Sequence, residues 1–163
     1  MTPFPSPNFG ARRGGVTPSL IVIHYTAMAS CAEARARLCD PAVEVSAHWL
    51  ISETGIAEAL VPETARAWHA GRSSWRGREG CNDQSVGIEL EGLEGLTFES
   101  TQYTALVRLC QDLRQRYPVA DIAGHEHIAP GRKQDPGPRF DWAFLQQQLA
   151  WPDRCFPEAT ARW

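Results

Sequence analysis

Hydrophobic positions along the 163-residue chain switch between a period of two and a period near 3.6, and the switches outline a series of strands and helices. In SLIVIHYT (19–26), Leu20, Val22 and His24 fall on one side and Ile21, Ile23 and Tyr25 on the other. Apolar, β-branched content on both sides predicts a strand in the interior of a sheet. CAEARARLCD (31–40) consists of good helix formers and stops at Asp40-Pro41, which predicts a short helix. SAHWLIS (46–52) and IAEALV (56–61), joined across Glu53-Thr54-Gly55, predict a hairpin.

Farther along, QSVGIELEG (84–92) reads as a strand with Gly87, Glu89 and Glu91 on one face and Val86, Ile88 and Leu90 on the other. Leu106, Val107, Leu109, Cys110 and Leu113 form a helical stripe between Glu99 and Tyr117, ended by Pro118. VADIAGH (119–125) predicts a last short strand, a polar loop runs over 126–139, and a closing helix starts near Phe140 and covers WAFLQQQL.

Two stretches lack periodicity. Residues 1–18 hold four of the twelve prolines and three of the thirteen glycines, and are expected to be an irregular leader. Residues 62–83, rich in Gly, Ser, Arg and Trp, predict a long surface loop of the kind that carries function, with Trp68, His69 and Trp75 as its candidates. The expected architecture is an α/β domain over 19–150, a central mixed β-sheet of about five or six strands flanked by helices, with a tail over 151–163.

Composition narrows the class. Hydrophobic residues at 43% and charged residues at 21% are ordinary for one globular core. No run of about 18 apolar residues predicts a membrane helix, and Arg12 and Arg13 are followed by no apolar stretch of the length an export signal needs. Five cysteines, an odd number without a CxxC pair, argue against a disulfide framework and a thiolate zinc site, so a reducing, cytoplasmic setting is expected. A net charge of -3 offers no field for nucleic acid or an anionic membrane surface.

His24, His48 and His125 lie at or just after predicted strands. A catalytic zinc site needs three N or O ligands and one open position, which His24, His125 and Asp135 could supply. An isolated histidine on an apolar strand is more often a hydrogen-bonded polar residue than a ligand. No HExxH helix is present, so residue chemistry leaves both readings open.

The words IVIHYTA, VSAHWLISETG, RAWHAG, CNDQSVGIELEG and GHEHIAPGRKQDPGP, in this order, resemble the zinc-dependent N-acetylmuramoyl-L-alanine amidase family (amidase type 2), which includes the peptidoglycan recognition proteins. The match spans residues 19–145. The resemblance implies one Zn2+ per chain on His24, His125 and Asp135, with Glu89 as catalytic acid and base, Glu91 as its rival, and Lys133 as catalytic lysine. It also implies a substrate groove involving Tyr25, Trp68, His69, Asn82 and Arg132, with His48 lining the pocket or filling the core and His127 beside the ligands or at the surface. Tyr25, Glu44 and Gly80 stand where AmpD-like members have Asn, Arg and Arg, departures that bear on substrate preference.

The activity so implied is hydrolysis of the amide between N-acetylmuramic acid, including its 1,6-anhydro form, and L-alanine. The expected partners are muropeptides or peptidoglycan, acted on by a monomer. The competing classes are a non-catalytic peptidoglycan-binding module, a wall-lytic phage-type amidase, and a zinc hydrolase that cuts a different bond.

Overall fold

The structure is a computed structural model that describes residues 4–158. In chain order it contains β1 (Phe9–Ala11), β2 (Leu20–Tyr25), α1 (Cys31–Leu38), β3 (Trp49–Ile51), β4 (Ala57–Ala59) and β5 (Ala65–Ala67). There follow β6 (Ser74–Trp75), β7 (Arg78–Glu79), α2 (Cys81–Gln84), β8 (Ser85–Leu90), α3 (Ser100–Arg116), β9 (Asp121–Gly124), α4 (His125–Ile128) and α5 (Trp142–Leu149).

Five strands make the main sheet, in the order β4-β3-β8-β2-β9. β3, β8, β2 and β9 are mutually parallel and only the edge strand β4 runs antiparallel, so the sheet is mixed and its interior strands are buried on both faces. On one face Ile21, Ile23, Val86, Ile88 and Ile122 pack against Leu106, Leu109, Cys110 and Leu113 of α3 and Leu145 and Leu149 of α5. Burying a side chain of this size stabilises the fold by about 1.5–3 kcal/mol, which makes this layer the mechanical base of the domain. On the other face Leu20, Val22 and Ala123 are covered by Ala70, Cys81 and Ile128, while α1 closes over Leu50 and Leu60 with Ala34 and Leu38. Between these two smaller clusters the second face stays open, and the polar residues of β2 and β8 emerge there.

Local chemistry sets the helix starts. The Ser30 side chain accepts the Glu33 amide at the head of α1, and Asp141 accepts the Phe144 amide at the head of α5. At the head of α3 the Gln102 side-chain oxygen accepts the Glu99 backbone amide at 2.9 Å, one half of a capping box.

Four expectations are corrected. The leader is not irregular throughout: β1 pairs antiparallel with β5, and Arg12 is buried, its guanidinium donating to the carbonyls of Asn82, Asp83, Ser85 and Glu63. A three-residue strand whose partner lies far along the chain leaves no periodic trace. The 62–83 loop likewise contains β5, β6, β7 and the start of α2. The tail is part of the core as far as Phe156, because Cys155 and Phe156 are buried against the α3 and α5 cluster; residues 159–163 lie outside the described part. The last strand also ends one residue earlier than expected, with His125 opening α4. Among the described residues no helix is long and apolar enough to cross a membrane.

Candidate functional site

Parallel strands gather their C-terminal ends along one edge, and a crevice there is the usual place for chemistry in open α/β sheets. His24 is the fifth residue of β2, Glu89 the fifth of β8, and the two are register partners on adjacent strands. His125 follows directly on β9, the other neighbour of β2. Asp135 arrives on the loop after α4, which is tied back where its carbonyl accepts the Glu126 amide at 2.9 Å.

These elements converge. His24 Nδ1 lies 2.9 Å from Asp135 Oδ2, His125 Nδ1 lies 3.2 Å from the same oxygen, and the two Nδ1 atoms are 3.0 Å apart. All three residues are buried. Among the described residues they form a cluster whose donor atoms all fall within 4.8 Å of one another. A tetrahedral ion held at about 2.0–2.1 Å requires ligand atoms roughly 3.3 Å apart, so the triangle is close to the size a zinc ion needs. His125 Nε2 lies 2.9 Å from the Ala70 carbonyl, which can only accept, so the proton of a neutral His125 sits on Nε2 and its Nδ1 lone pair faces the triangle.

Burial lowers the proton affinity of His24, against the pull of Asp135, and so favours the neutral imidazole that a metal ligand must be. Burial works against charge on Asp135 too, but its polar contacts with His125 and His24 outweigh that and hold the carboxyl below the usual carboxylate range. Two imidazole nitrogens and one carboxylate are a donor set that suits zinc.

Glu89 is the other unusual group. Its Oε2 is shut off from solvent and has no hydrogen-bond partner among the described residues. Burial first, and the nearby negative charge of Asp135 second, push its carboxyl well above the usual range, with Lys133 opposing. Glu91, two residues on, is fully used by the fold: one oxygen accepts the Cys31 amide at 2.7 Å and the other the Glu53 amide at 2.8 Å. Both acids share the alternation of the strand, and hydrogen bonding is what separates them.

An open cavity of about 430 Å³ surrounds the cluster. Of the residues expected in a groove, Tyr25, Trp68, His69 and Arg132 line it together with Lys133, Glu89 and the triangle. Asn82 lies outside it, buried, with its Oδ1 accepting the backbone amides of His69 and Ala70 at 3.0 and 2.8 Å, so it holds the Trp68–Ala70 segment in place. Arg132 both lines the cavity and donates to the carbonyls of Ala70 and Arg72. His48 is buried next to the site, taking the Gly87 amide on Nδ1 and placing Nε2 2.9 Å from the Ala65 carbonyl. His127 Nδ1 accepts the Gly124 amide at 2.8 Å and its ring packs edge-on to Trp142.

Arg37 and Met28 from the α1 region, Ser46, and Gln134 also line the cavity, and none was singled out in the sequence. Neither was Ser85, whose hydroxyl touches His69. Arg37 sits on a solvent-facing position of a short helix, where nothing but the path of the chain above the sheet distinguishes it from any surface arginine.

Residues 14–138 match the family model described as N-acetylmuramoyl-L-alanine amidase. The chain is 40% identical over 158 residues to 1,6-anhydro-N-acetylmuramyl-L-alanine amidase AmpD of Citrobacter freundii, a match covering 85% of this chain and 84% of that one. A crystal structure of an AmpD derivative superposes with a TM-score of 0.83 at 38% identity, covering 91% of this chain and 96% of that one. The amidase AmiD of E. coli, in complex with the substrate anhydro-N-acetylmuramic acid-L-Ala-D-gamma-Glu-L-Lys, superposes with a TM-score of 0.76 at 39% identity over 88% of this chain and 62% of that one.

Proposed function

This chain belongs to the N-acetylmuramoyl-L-alanine amidase family, and from that premise we propose that His24, His125 and Asp135 hold one zinc ion beside Glu89 and Lys133 as the catalytic groups. It is an amidase that hydrolyses the bond between the lactyl carbonyl of N-acetylmuramic acid and the amine of L-alanine. The observation that carries the site is the meeting, in the lining of one cavity, of three metal-competent donors with a desolvated carboxyl oxygen that has no partner among the described residues.

A zinc ion, when bound, supplies a Lewis acid that acidifies water and polarises the scissile carbonyl. Glu89 takes the proton of the attacking water. Its raised proton affinity suits a group that must first hold that proton and then return it to the departing amine nitrogen of L-alanine. One carboxyl thereby serves both halves of the reaction. Lys133 lines the same cavity, and its ammonium stabilises the negative charge that grows on the carbonyl oxygen as the carbon becomes tetrahedral. Trp68, Tyr25 and His69 line the groove, where aromatic rings can receive the sugar, and Arg132 is suited to a carboxylate of the peptide stem. Asn82 serves the substrate at one remove, through the segment it anchors.

The substrate form we favour is a soluble 1,6-anhydro-muropeptide, as in the names of the AmpD relatives, processed by a monomer in the cytoplasm. Five free thiols, three of them buried, suit that reducing compartment. Incubating the zinc-loaded protein with anhydro-muropeptide and, separately, with intact sacculi, followed by mass spectrometry, tests this. Free stem peptide from the soluble substrate alone supports a recycling enzyme. Cleavage of sacculi replaces it with a wall-lytic role, and cleavage of neither with a binding module.

A further inference from the structure

We propose that His69 and Ser85 are positioning residues that fix the tautomer of His24, so that His24 Nδ1 presents a bare lone pair to the triangle it forms with His125 and Asp135. The proposal rests on the metal-centre reading above and adds to it a reason why the site is assembled in the metal-accepting form before any ion arrives.

The direction of each proton follows from one end of a chain of contacts. Ser85 Oγ is 2.6 Å from the Cys81 carbonyl, which has no proton to give, so the hydroxyl proton of Ser85 points at Cys81. The same Oγ is 3.0 Å from His69 Nε2. With its only proton engaged, Ser85 accepts there, and His69 Nε2 must carry the hydrogen. A neutral imidazole has one N–H, so His69 Nδ1 is a lone pair. That lone pair lies 2.9 Å from His24 Nε2, which therefore donates, leaving His24 Nδ1 unprotonated. Between Cys81 and His24, reversing any link sets two lone pairs or two protons against each other, and the lone pairs this order leaves facing Asp135 and His125 are those a bound cation would take up.

The ring of His69 is held in this role from three sides. Asn82 Oδ1 accepts its backbone amide and that of Ala70, and Ser46 Oγ accepts the amide of Trp68. Below it the sheet is notched at Gly87, where a Cβ would stand 2.5 Å from the His69 ring. The absence of a side chain at that one position of β8 is what lets an imidazole lie between Ser85 and His24.

Zinc dissociation constants, measured at neutral pH by competition with a chromophoric chelator, test the assignment in wild type, His69→Phe, His69→Asn and Ser85→Ala, each first checked by circular dichroism. His69→Phe fills the slot without an acceptor and should weaken zinc binding about 10–100-fold, the usual effect of losing the outer partner of a ligating histidine. His69→Asn puts an amide oxygen near the former Nδ1 and should restore affinity to within a few-fold of wild type. Wild-type affinity in His69→Phe overturns the proposal, and so does equal weakening in Phe and Asn, because bulk alone would then be responsible. If His69→Phe does not fold, Ser85→Ala decides: weakened zinc binding supports the chain of contacts and unchanged binding overturns it. A wild-type protein that binds no zinc overturns the metal-centre reading itself, a result distinct from all of these.

Discussion

His24 and Glu89 are register partners on the parallel strands β2 and β8, so the imidazole at the ligand triangle and the unpartnered carboxyl leave the sheet side by side from the same face. Two neighbouring strands hold them at a distance that side-chain flexibility hardly changes, because the backbone beneath is packed on α3 and α5. On the proposed reading the pair divides the work: one side chain completes a binding triangle and the other is left free to move protons.

Replacing the carboxylate ligand should remove the metal. In Asp135→Ala, zinc and activity are expected to be lost together while the circular dichroism spectrum of a folded domain remains, since Asp135 contributes to the triangle and its backbone carbonyl still anchors the loop. Stoichiometric zinc in the purified variant, read by atomic absorption, would remove Asp135 from the ligand set.

Proton transfer is separable from binding. Glu89→Gln keeps the shape of the side chain and leaves the triangle intact, so zinc content should equal that of wild type while kcat falls by about 10²–10⁴-fold. Wild-type turnover in this variant would move the proton-transfer role elsewhere on the cavity wall.

Glu91 makes the contrasting case. Its two oxygens cap the amides of Cys31 and Glu53, so Glu91→Ala is expected to lower stability by about 1–3 kcal/mol in urea titrations, with kcat at saturating zinc within a few-fold of wild type. A thousand-fold loss of turnover in a folded Glu91→Ala protein would reverse the assignment of the two acids.

Acid should weaken the fold partly through His48. Burial lowers its pKa to about 4, with the contact to the Ala65 carbonyl opposing and Arg12 adding to the shift. In the unfolded chain it titrates near 6.5, so as pH falls below that value the unfolded state takes up a proton that the folded state refuses. Stability from this group is intact above pH 6.5 and is lost as pH drops toward 4, by about 2 kcal/mol between pH 7 and pH 5. Urea midpoints of the zinc-free protein at those two pH values should therefore shift less in His48→Gln than in wild type. Equal shifts would mean that His48 is not the group responsible.

Much of this was legible along the chain because it depends on neighbours in sequence. The strands β2 and β8, the α3 stripe, the hairpin of β3 and β4 and the closing helix α5 each bury a face set by side-chain period, and period survives in one dimension. His24, Glu89, His125 and Asp135 are singled out by the words around them, and those words also indicate the family. Alternation placed Glu89 and Glu91 on one face but could not rank them.

What the amino-acid order determined by itself was the set of elements, the kind of fold and the residue types available for the chemistry. Tertiary structure decided which of those residues meet. The order β4-β3-β8-β2-β9 brings His24 against Glu89 on one side and close to His125 on the other, and the loop after α4 carries Asp135 back to them. Pairing β1 with β5 drew the leader into the domain, two distant amides took Glu91 out of the reckoning, and the notch at Gly87 admitted His69 beside His24. Each of these depends on contacts between segments far apart in the chain, and such contacts are set by packing and hydrogen-bond satisfaction over the whole molecule. No local pattern of residues encodes them.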